Sequence, residues 1–201
     1  MSFFRRGLMM QAACGQQSVF PLEFDGVDDY YDTGTELWGK SKFTMKMTFT
    51  TTQSDSVERT LFTANNYGDQ QVCMVNSMKS GSSVRYFING IGMGTCAAGV
   101  KCGLILEKDG AVLRYRLVKT NTDAMGLTLD TSVIPPDNSG QTLLFGADRT
   151  IAGYGRFWEG TIHNFMIAGR QLPAVFRKDW FAGKGCKRGL FLVLQKKGGE
   201  I

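Results

Sequence analysis

The sequence has few of the residues on which catalytic centres usually depend. It contains one histidine, His163, which stands alone in a predicted strand, so a Ser-His-Asp or Cys-His arrangement has only this residue to use. The glycine-rich stretch 90–94 lacks the lysine and the helix that phosphate binding needs. These absences argue against nucleophilic and nucleotide-dependent catalysis, and no catalytic residue is predicted.

Cysteine and proline are also limited in ways that exclude whole classes of protein. The five cysteines, at positions 14, 73, 96, 102 and 186, are odd in number and irregularly spaced. They predict neither a disulfide framework nor a zinc site, and we expect free thiols in a reducing cytosol. With 4 Pro against 25 Gly, the composition suits tight turns between strands better than a linker. No apolar run approaches the roughly 18 residues that a membrane span requires, so no membrane partner is predicted.

The pattern that is present is a series of β-strands. Phe43, Met45, Met47 and Phe49 alternate with polar residues and predict a half-buried strand whose four apolar side chains face inward. Further strands are expected at 58–64, 70–78, 83–91, 101–107, 111–119, 125–130, 141–147 and 160–168. Only residues 172–182 have helical spacing, and the apolar run 189–194 predicts a final strand. Such regular strands without βαβ alternation indicate a sandwich or barrel.

Three stretches make residues 20–170 resemble the laminin-G-like, concanavalin A-like jelly-roll family. They are Phe24-Asp25-Gly26-Val27-Asp28-Asp29-Tyr30, the hairpin at Lys108-Asp109-Gly110, and Trp158-Glu159-Gly160-Thr161-Ile162. The resemblance implies an all-β fold of two antiparallel sheets, of the kind found in bacteriophage structural proteins. One short C-terminal helix and extended terminal arms are expected in addition to that sandwich.

Some relatives within this jelly-roll family are glycosidases with a Glu-x-Asp-x-x-Glu strand, which invites a comparison here. Glu107-Lys108-Asp109 is the nearest match, but Val112 stands where the second glutamate is needed. We therefore assign Glu107 and Asp109 to a turn and expect the protein not to be an enzyme.

Binding residues are expected in two groups. Asp25, Asp28 and Asp29, near Asp32, are candidate Ca²⁺ ligands because Ca²⁺ prefers carboxylate oxygens, although the turn itself also explains these residues. Otherwise no cofactor is expected. Three aromatic residues near loops are candidates for stacking on a sugar ring: Tyr67, Tyr154 and Trp158. The alternative for Trp158 is a place in the core.

The charge is concentrated at the two ends of the chain. Residues 1–19 carry +2 and residues 170–201 carry +6, so that the body between them has −3 of the net +5. A uniformly basic surface would suggest nucleic acid, whereas this pattern suggests basic ends that dock on something acidic. The alternative is that these Lys and Arg residues only keep the termini soluble.

The first 19 residues predict an attachment arm. The Ala12-Ala13-Cys14 sequence faintly resembles a lipoprotein signal, but the apolar stretch before it is short and Gln11 interrupts it. The residues expected to bind a partner are Phe3, Phe4, Arg5, Arg6, Leu8, Met9 and Met10. Met is common at adaptable contacts of this kind.

The domain organisation predicted is therefore an arm (1–19), a jelly-roll domain (20–170), and a helix with a basic strand or tail (171–201). The function predicted is a non-enzymatic virion subunit, such as a phage head-decoration, fibre or tail component, assembled in the host cytoplasm. It would contact other virion proteins through both ends, form homo-oligomers and have a host glycan as a further partner. The alternative is a stand-alone carbohydrate-binding lectin module.

Overall fold

The described part of the chain is built from β-strands. The computed structural model describes residues 21–36, 42–64, 74–110, 112–118, 142–150 and 153–168. Over these ranges the strands are β1 Leu22–Asp25, β2 Tyr31–Glu36, β3 Lys42–Thr51, β4 Arg59–Thr63, β5 Met74–Ser80, β6 Ser83–Ile88, β7 Ile91–Ala97, β8 Lys101–Asp109, β9 Val112–Val118, β10 Thr142–Phe145, β11 Asp148–Thr150, β12 Gly153–Gly155 and β13 Glu159–Ala168. No helix in the described ranges is long and apolar enough to cross a membrane.

Two antiparallel sheets carry most of these strands. One is five-stranded in the order β1-β13-β3-β8-β9, the other is six-stranded in the order β2-β10-β4-β5-β6-β7, and β11 with β12 forms a separate hairpin. The predicted all-β, two-sheet jelly roll is thereby confirmed. The predicted helix at 172–182, the final strand at 189–194 and the terminal arms lie outside the described residues.

The core lies between the two sheets and has the register that the sequence predicts. Phe43, Met45, Met47 and Phe49 of β3 are all completely buried. Aromatic rings meet across the interface, with Phe49 against Tyr86 at 5.4 Å and Phe145 against Phe165 at 4.6 Å between centroids, both edge to face. Edge-to-face pairs of this kind add to the stabilisation that comes from buried area.

The opposite face of β3 corrects the sequence prediction of a half-buried strand. Thr44, Lys46 and Thr48 alternate with the core residues, yet they are also buried, with Lys46 completely inaccessible. Ile105 of β8 and Met166 of β13 flank Lys46 in the sheet, and Ile105 is completely buried as well. Alternation identifies which residues share a face, but it does not tell whether the polar face is open to solvent.

Glycines set the hairpin turns at the positions that the sequence predicts. Asn89 and Gly90 join β6 to β7 with φ angles of 49° and 78°, as a two-residue turn with two left-handed residues requires. Gly110, with φ of 61°, turns β8 into β9. Glu107 lies inside β8 and is buried, so its predicted place in that turn is wrong. The strand extends two residues further than its sequence pattern indicates.

For Cys96 and Cys102 the expectation of free thiols is wrong, because they form a disulfide between β7 and β8, while Cys14, Cys73 and Cys186 lie outside the described residues. The two strands belong to different sheets, so the disulfide joins the two layers of the sandwich. The short connection folds back through hydrogen bonds from Val100 N to Ala97 O and from Gly99 N to Thr51 O, which bring the cysteines together. The predicted reducing compartment loses this support and stays a prediction.

Candidate functional site

The acidic turn between β1 and β2 lies at one end of the sandwich. Asp25, Asp28 and Asp29 are exposed, and an oxygen from each lies within 4.8 Å of the others. Two of the carboxylates close the turn, since Asp25 Oδ1 accepts from Val27 N at 2.8 Å and Asp29 Oδ2 accepts from Asp25 N at 3.1 Å. Aspartate is favoured in turns for this ability to bond the nearby backbone.

Arg59 of β4 fixes this turn to the rest of the fold. Its Nη1 donates to Gly26 O at 2.7 Å and to Phe157 O at 2.6 Å. Its Nε and Nη2 donate to the two carboxylate oxygens of Asp55, at 3.2 and 2.7 Å. One planar guanidinium thus joins the turn, the loop before β4 and the loop before β13, a role that suits Arg better than Lys.

The same contact explains the charge state of Asp55. The hydrogen bond from Arg59 holds the pKa of the Asp55 carboxyl below its usual value, and the pKa of Arg59 is raised in turn. Glu159 lies beside this group, because its Cβ would be 3.0 Å from a Cβ added to Gly26. We call Asp25, Asp28, Asp29, Asp55 and Glu159, arranged around Arg59, the acidic pole. Its five carboxylates outnumber the cations described beside them, Arg59, whose donors are engaged, and Lys79, whose Nζ donates to Ser54 O at 2.9 Å.

Two tyrosines stack beside the acidic pole. The rings of Tyr30 and Tyr154 have centroids 4.0 Å apart and planes inclined by 29°. Both side chains are exposed, at 43% and 41% respectively. We call this pair the aromatic platform. An exposed stacked pair presents a flat apolar surface with a polar tip, a composition typical of binding surfaces.

Polar contacts hold the two halves of the aromatic platform in place. Tyr154 lies on β12, opposite Arg149 of β11. Arg149 Nη2 donates to Thr142 Oγ1 at 2.8 Å and forms an ion pair with Asp32 at 3.4 Å. Asp32 is in β2, two residues after Tyr30, so the ion pair connects the hairpin with Tyr154 to the strand that Tyr30 precedes. The platform is therefore braced by β2, β10 and β11.

The core beneath the site determines where it lies. Trp158 is completely buried and packs edge to face on Phe24 at 5.7 Å and on Phe49 at 6.1 Å. Trp158 is thus a core residue, which was the alternative that the sequence left open, and it cannot stack on a sugar. Tyr154 is exposed as a sugar contact requires, while Tyr67 lies outside the described residues, as do Phe3, Phe4, Arg5, Arg6, Leu8, Met9 and Met10 of the arm.

The predicted Ca²⁺ ligands are brought together, but they make up only part of a calcium shell. Ca²⁺ takes six to eight oxygens, roughly, whereas the cluster offers three carboxylates, two of which already accept backbone hydrogen bonds. Carboxylates are the right donors for this ion. Calcium binding by Asp25, Asp28 and Asp29 stays a prediction.

The residues weighed for catalysis are dispersed and otherwise engaged. Asp109 Oδ1 forms an ion pair with Lys42 at 3.0 Å. The Nε2 atom of His163 lies 2.8 Å from Thr50 Oγ1, and burial together with Lys101 lowers the pKa of this histidine. Asp148, which the sequence did not suggest for catalysis, lies on β11 opposite Gly155, and burial raises the pKa of its carboxyl although Arg156 opposes the shift. The absence of an enzymatic activity remains an expectation.

The sequence pointed to the location of this site but missed some of its residues. The Phe24–Tyr30 motif contains Tyr30, which sequence analysis did not select as a binding residue. Arg59 and Arg149 were missed because their partners are distant in sequence, 33 residues for Gly26 and 117 for Asp32. For Tyr30 the sequence offered one signal, the position of an aromatic residue directly after the acidic turn.

Comparison with known proteins supports the fold. No known family profile matches the sequence, and no curated protein sequence does either. Among solved structures, the heptameric SAP-like pentraxin from Limulus polyphemus has a TM-score of 0.58 at 12% identity, covering 83% of each chain. The CBM40 of the Ruminococcus gnavus IT-sialidase, bound to alpha2,3 sialyllactose, has a TM-score of 0.54 at 14% identity, covering 82% of this chain and 96% of that one.

A sialidase is similar over a comparable share of the chain. The Trypanosoma rangeli sialidase in complex with the inhibitor DANA has a TM-score of 0.58 at 14% identity, covering 80% of this chain but only 27% of the sialidase. At such identities the likeness concerns the fold alone. The chain therefore has the jelly-roll fold of the concanavalin A-like lectins.

Proposed function

We propose that this chain is a non-enzymatic, carbohydrate-binding jelly-roll module and that the aromatic platform is its sugar contact. The observation that carries the proposal is the stacked, exposed pair of Tyr30 and Tyr154. The apolar face of a sugar ring packs on an aromatic ring, and its hydroxyl groups need polar partners around that contact. Asp28 and Asp29 directly precede Tyr30 in the sequence, and the platform itself supplies the two phenol groups.

The rigidity of the platform favours this function. A surface that is already arranged before its ligand arrives loses less conformational freedom on binding. The Asp32–Arg149 ion pair and the bond from Arg149 to Thr142 brace Tyr154, and the acidic turn positions Tyr30. The two rings thereby form one surface although they are 124 residues apart in the sequence.

The solved structures of similar fold give further support. The CBM40 of the Ruminococcus gnavus IT-sialidase is bound to alpha2,3 sialyllactose in one structure and to alpha2,6 sialyllactose in another. Carbohydrate binding is thus a function that this fold performs in another protein. The sequence also predicts that a virion subunit would contact the host surface. Binding of a host glycan by the aromatic platform is compatible with that prediction.

Glycan-array binding followed by calorimetry tests the proposal. We expect Tyr154→Ala to weaken binding of a selected glycan by roughly tenfold, because it removes half of the stacked surface. Tyr154→Phe keeps the ring and is the matched control, with binding close to that of the wild type. If the wild-type protein binds no glycan, or if Tyr154→Ala binds as the wild type does, the proposed function is wrong.

The virion role is a second candidate, supported by the sequence of the chain ends. The basic, apolar arm 1–19 and the basic segment 170–201 are the features that indicate attachment to other proteins. The two functions are compatible, since a virion appendage that binds host glycans would need both a platform and an anchor. The virion location and the cytoplasmic assembly stay predictions.

A further inference from the structure

We propose that the acidic pole is a docking surface for the basic C-terminal segment of a second copy of this chain, so that copies associate head to tail. This inference goes beyond glycan binding and does not depend on it. The acidic pole and the C-terminal segment have opposite charges. The segment that docks is residues 184–197 of the neighbouring copy.

The acidic pole carries an excess of negative charge. Its five carboxylates outnumber the two cations beside them. Arg59 has a side chain that is 16% exposed and donors that are bonded to Asp55, Gly26 and Phe157, and Lys79 donates from Nζ to Ser54 O at 2.9 Å. Asp25, Asp28 and Asp29 are exposed, and Asp55 is 40% exposed. A surface with this excess of negative charge attracts a cationic segment and repels an anionic one.

Two exposed valines give the acidic pole an apolar surface as well. Val27 and Val57 are 69% and 59% exposed, the highest values among the large hydrophobic residues of the described ranges. Val27 lies inside the acidic turn, and Val57 N donates to Asp55 Oδ1 at 3.3 Å, so both valines are set among the carboxylates. Such a surface favours a partner segment that is apolar and flanked by cations.

The C-terminal segment has this composition. Its apolar run, Leu190-Phe191-Leu192-Val193-Leu194, follows Lys184, Lys187 and Arg188 and precedes Lys196 and Lys197. The valines would meet the apolar run, and the surrounding carboxylates would meet the flanking cations. This pattern is the complement of the acidic pole in both charge and polarity. The arm 1–19 is apolar too, but it carries only two cations.

The last described residue, Ala168, lies at the opposite end of β13 from the acidic pole. Glu159 belongs to the pole and begins β13, which ends at Ala168. The nine steps of extended strand between them measure about 30 Å. The chain beyond Ala168 therefore starts away from its own pole, and a contact in which this segment of one copy meets the pole of another is of the head-to-tail kind.

Charge exchange between the two parts tests the inference in the full-length protein. The pole variant carries Val27→Lys, Asp28→Lys, Val57→Lys and Glu159→Lys. The tail variant carries Lys187→Glu, Arg188→Glu, Lys196→Glu and Lys197→Glu. Sedimentation velocity over a range of concentrations measures self-association, and circular dichroism checks that each variant is folded. Val100→Lys, at a valine that is 46% exposed and lies beside Lys101, is the matched control.

The expected result is self-association of the wild type that weakens at about 1 M salt, where the screening length falls to roughly 3 Å. Each variant alone should associate at least roughly tenfold more weakly, because like charges then face each other. An equimolar mixture of the two variants should associate again, and Val100→Lys should behave as the wild type.

Several outcomes would overturn the inference. A wild type that stays monomeric means that the tail docks on its own domain or not at all. Association of the pole variant at wild-type strength places the contact elsewhere. A folded mixture that remains monomeric, or wild-type association that salt leaves unchanged, rules out the charge complementarity. None of these outcomes bears on glycan binding, which the Tyr154 variants test separately.

Discussion

Gly146 shows how a single residue positions the site. Its φ is +80°, and a Cβ added there would lie 2.3 Å from Cδ1 of Phe24 and 3.1 Å from the carbonyl oxygen of Asp29. The absence of a side chain therefore lets the strand that begins at Leu22 and the acidic turn pack directly against the end of β10. The Phe24 ring is also held by its edge-to-face contact with the buried Trp158.

We expect Gly146→Ala to lower the free energy of unfolding by about 3 kcal/mol, since it adds a steric overlap to an unfavourable backbone conformation. Gly81→Ala is the matched control, because Gly81 also has a positive φ, +64°, but nothing lies within 4 Å of the added Cβ. That change should cost only about 1 kcal/mol. Urea unfolding measures both, and equal losses would show that the contact with Phe24 is unimportant.

At the scale of elements, Arg59 shows how strands far apart in sequence share one anchor. Its guanidinium joins the acidic turn after β1, the loop before β4 and the loop before β13. Two of these loops present a backbone carbonyl to the guanidinium, Gly26 O and Phe157 O, and the third presents the Asp55 carboxylate. The cost of an unsatisfied buried acceptor exceeds the gain from an ordinary hydrogen bond, so the clamp is worth more than its bonds suggest.

Arg59→Lys should lower the free energy of unfolding by about 2 kcal/mol, because an ammonium group cannot make the planar set of contacts. The exposed Arg85→Lys is the control and should leave stability unchanged.

The wild type should also lose stability as the pH falls below the usual Asp55 pKa of 3.8 and through its lowered value in the fold. Thermal unfolding against pH checks this, and an equally steep acid loss in Asp55→Asn would contradict it.

The elements also show how much of the fold the sequence predicts. The strands and the inward face of β3 follow from alternation, and the turns follow from Asn-Gly and Asp-Gly pairs. The burial of Lys46 depends on contacts outside its own strand, and the Cys96–Cys102 disulfide depends on how β7 crosses to β8. Such contacts between distant elements leave no periodic signal.

The candidate site was predicted less completely than the fold. The Asp25-Gly26-Val27-Asp28-Asp29 turn and Tyr154 were selected from residue type and loop position, both of which are local properties. The stacking of Tyr30 on Tyr154 arises only when the β11–β12 hairpin reaches the turn. The choice of Trp158 as a sugar contact failed because a tryptophan beside a closing strand usually fills the core.

At the scale of the whole molecule, the ends of the chain and the sandwich are predicted to have separate tasks. Deleting residues 1–19 should abolish incorporation into a larger assembly while the sandwich stays folded, because β1 begins only at Leu22. Co-purification with partner proteins measures incorporation, and circular dichroism measures folding. A truncated protein that still assembles normally would contradict the attachment role of the arm.

The pairing of β1 with β13 has a consequence for how the protein is made. Leu22 pairs with Ile162, so the first described strand waits for a partner that is translated 140 residues later. The central strand β3 also lies against β13. The ribosome has therefore synthesised nearly the whole described domain before β13 is available for pairing. Until then the edges of β1 and β3 that pair with β13 are open to wrong partners. Contacts this distant in sequence make folding slow, and the nascent chain needs protection from aggregation throughout its synthesis.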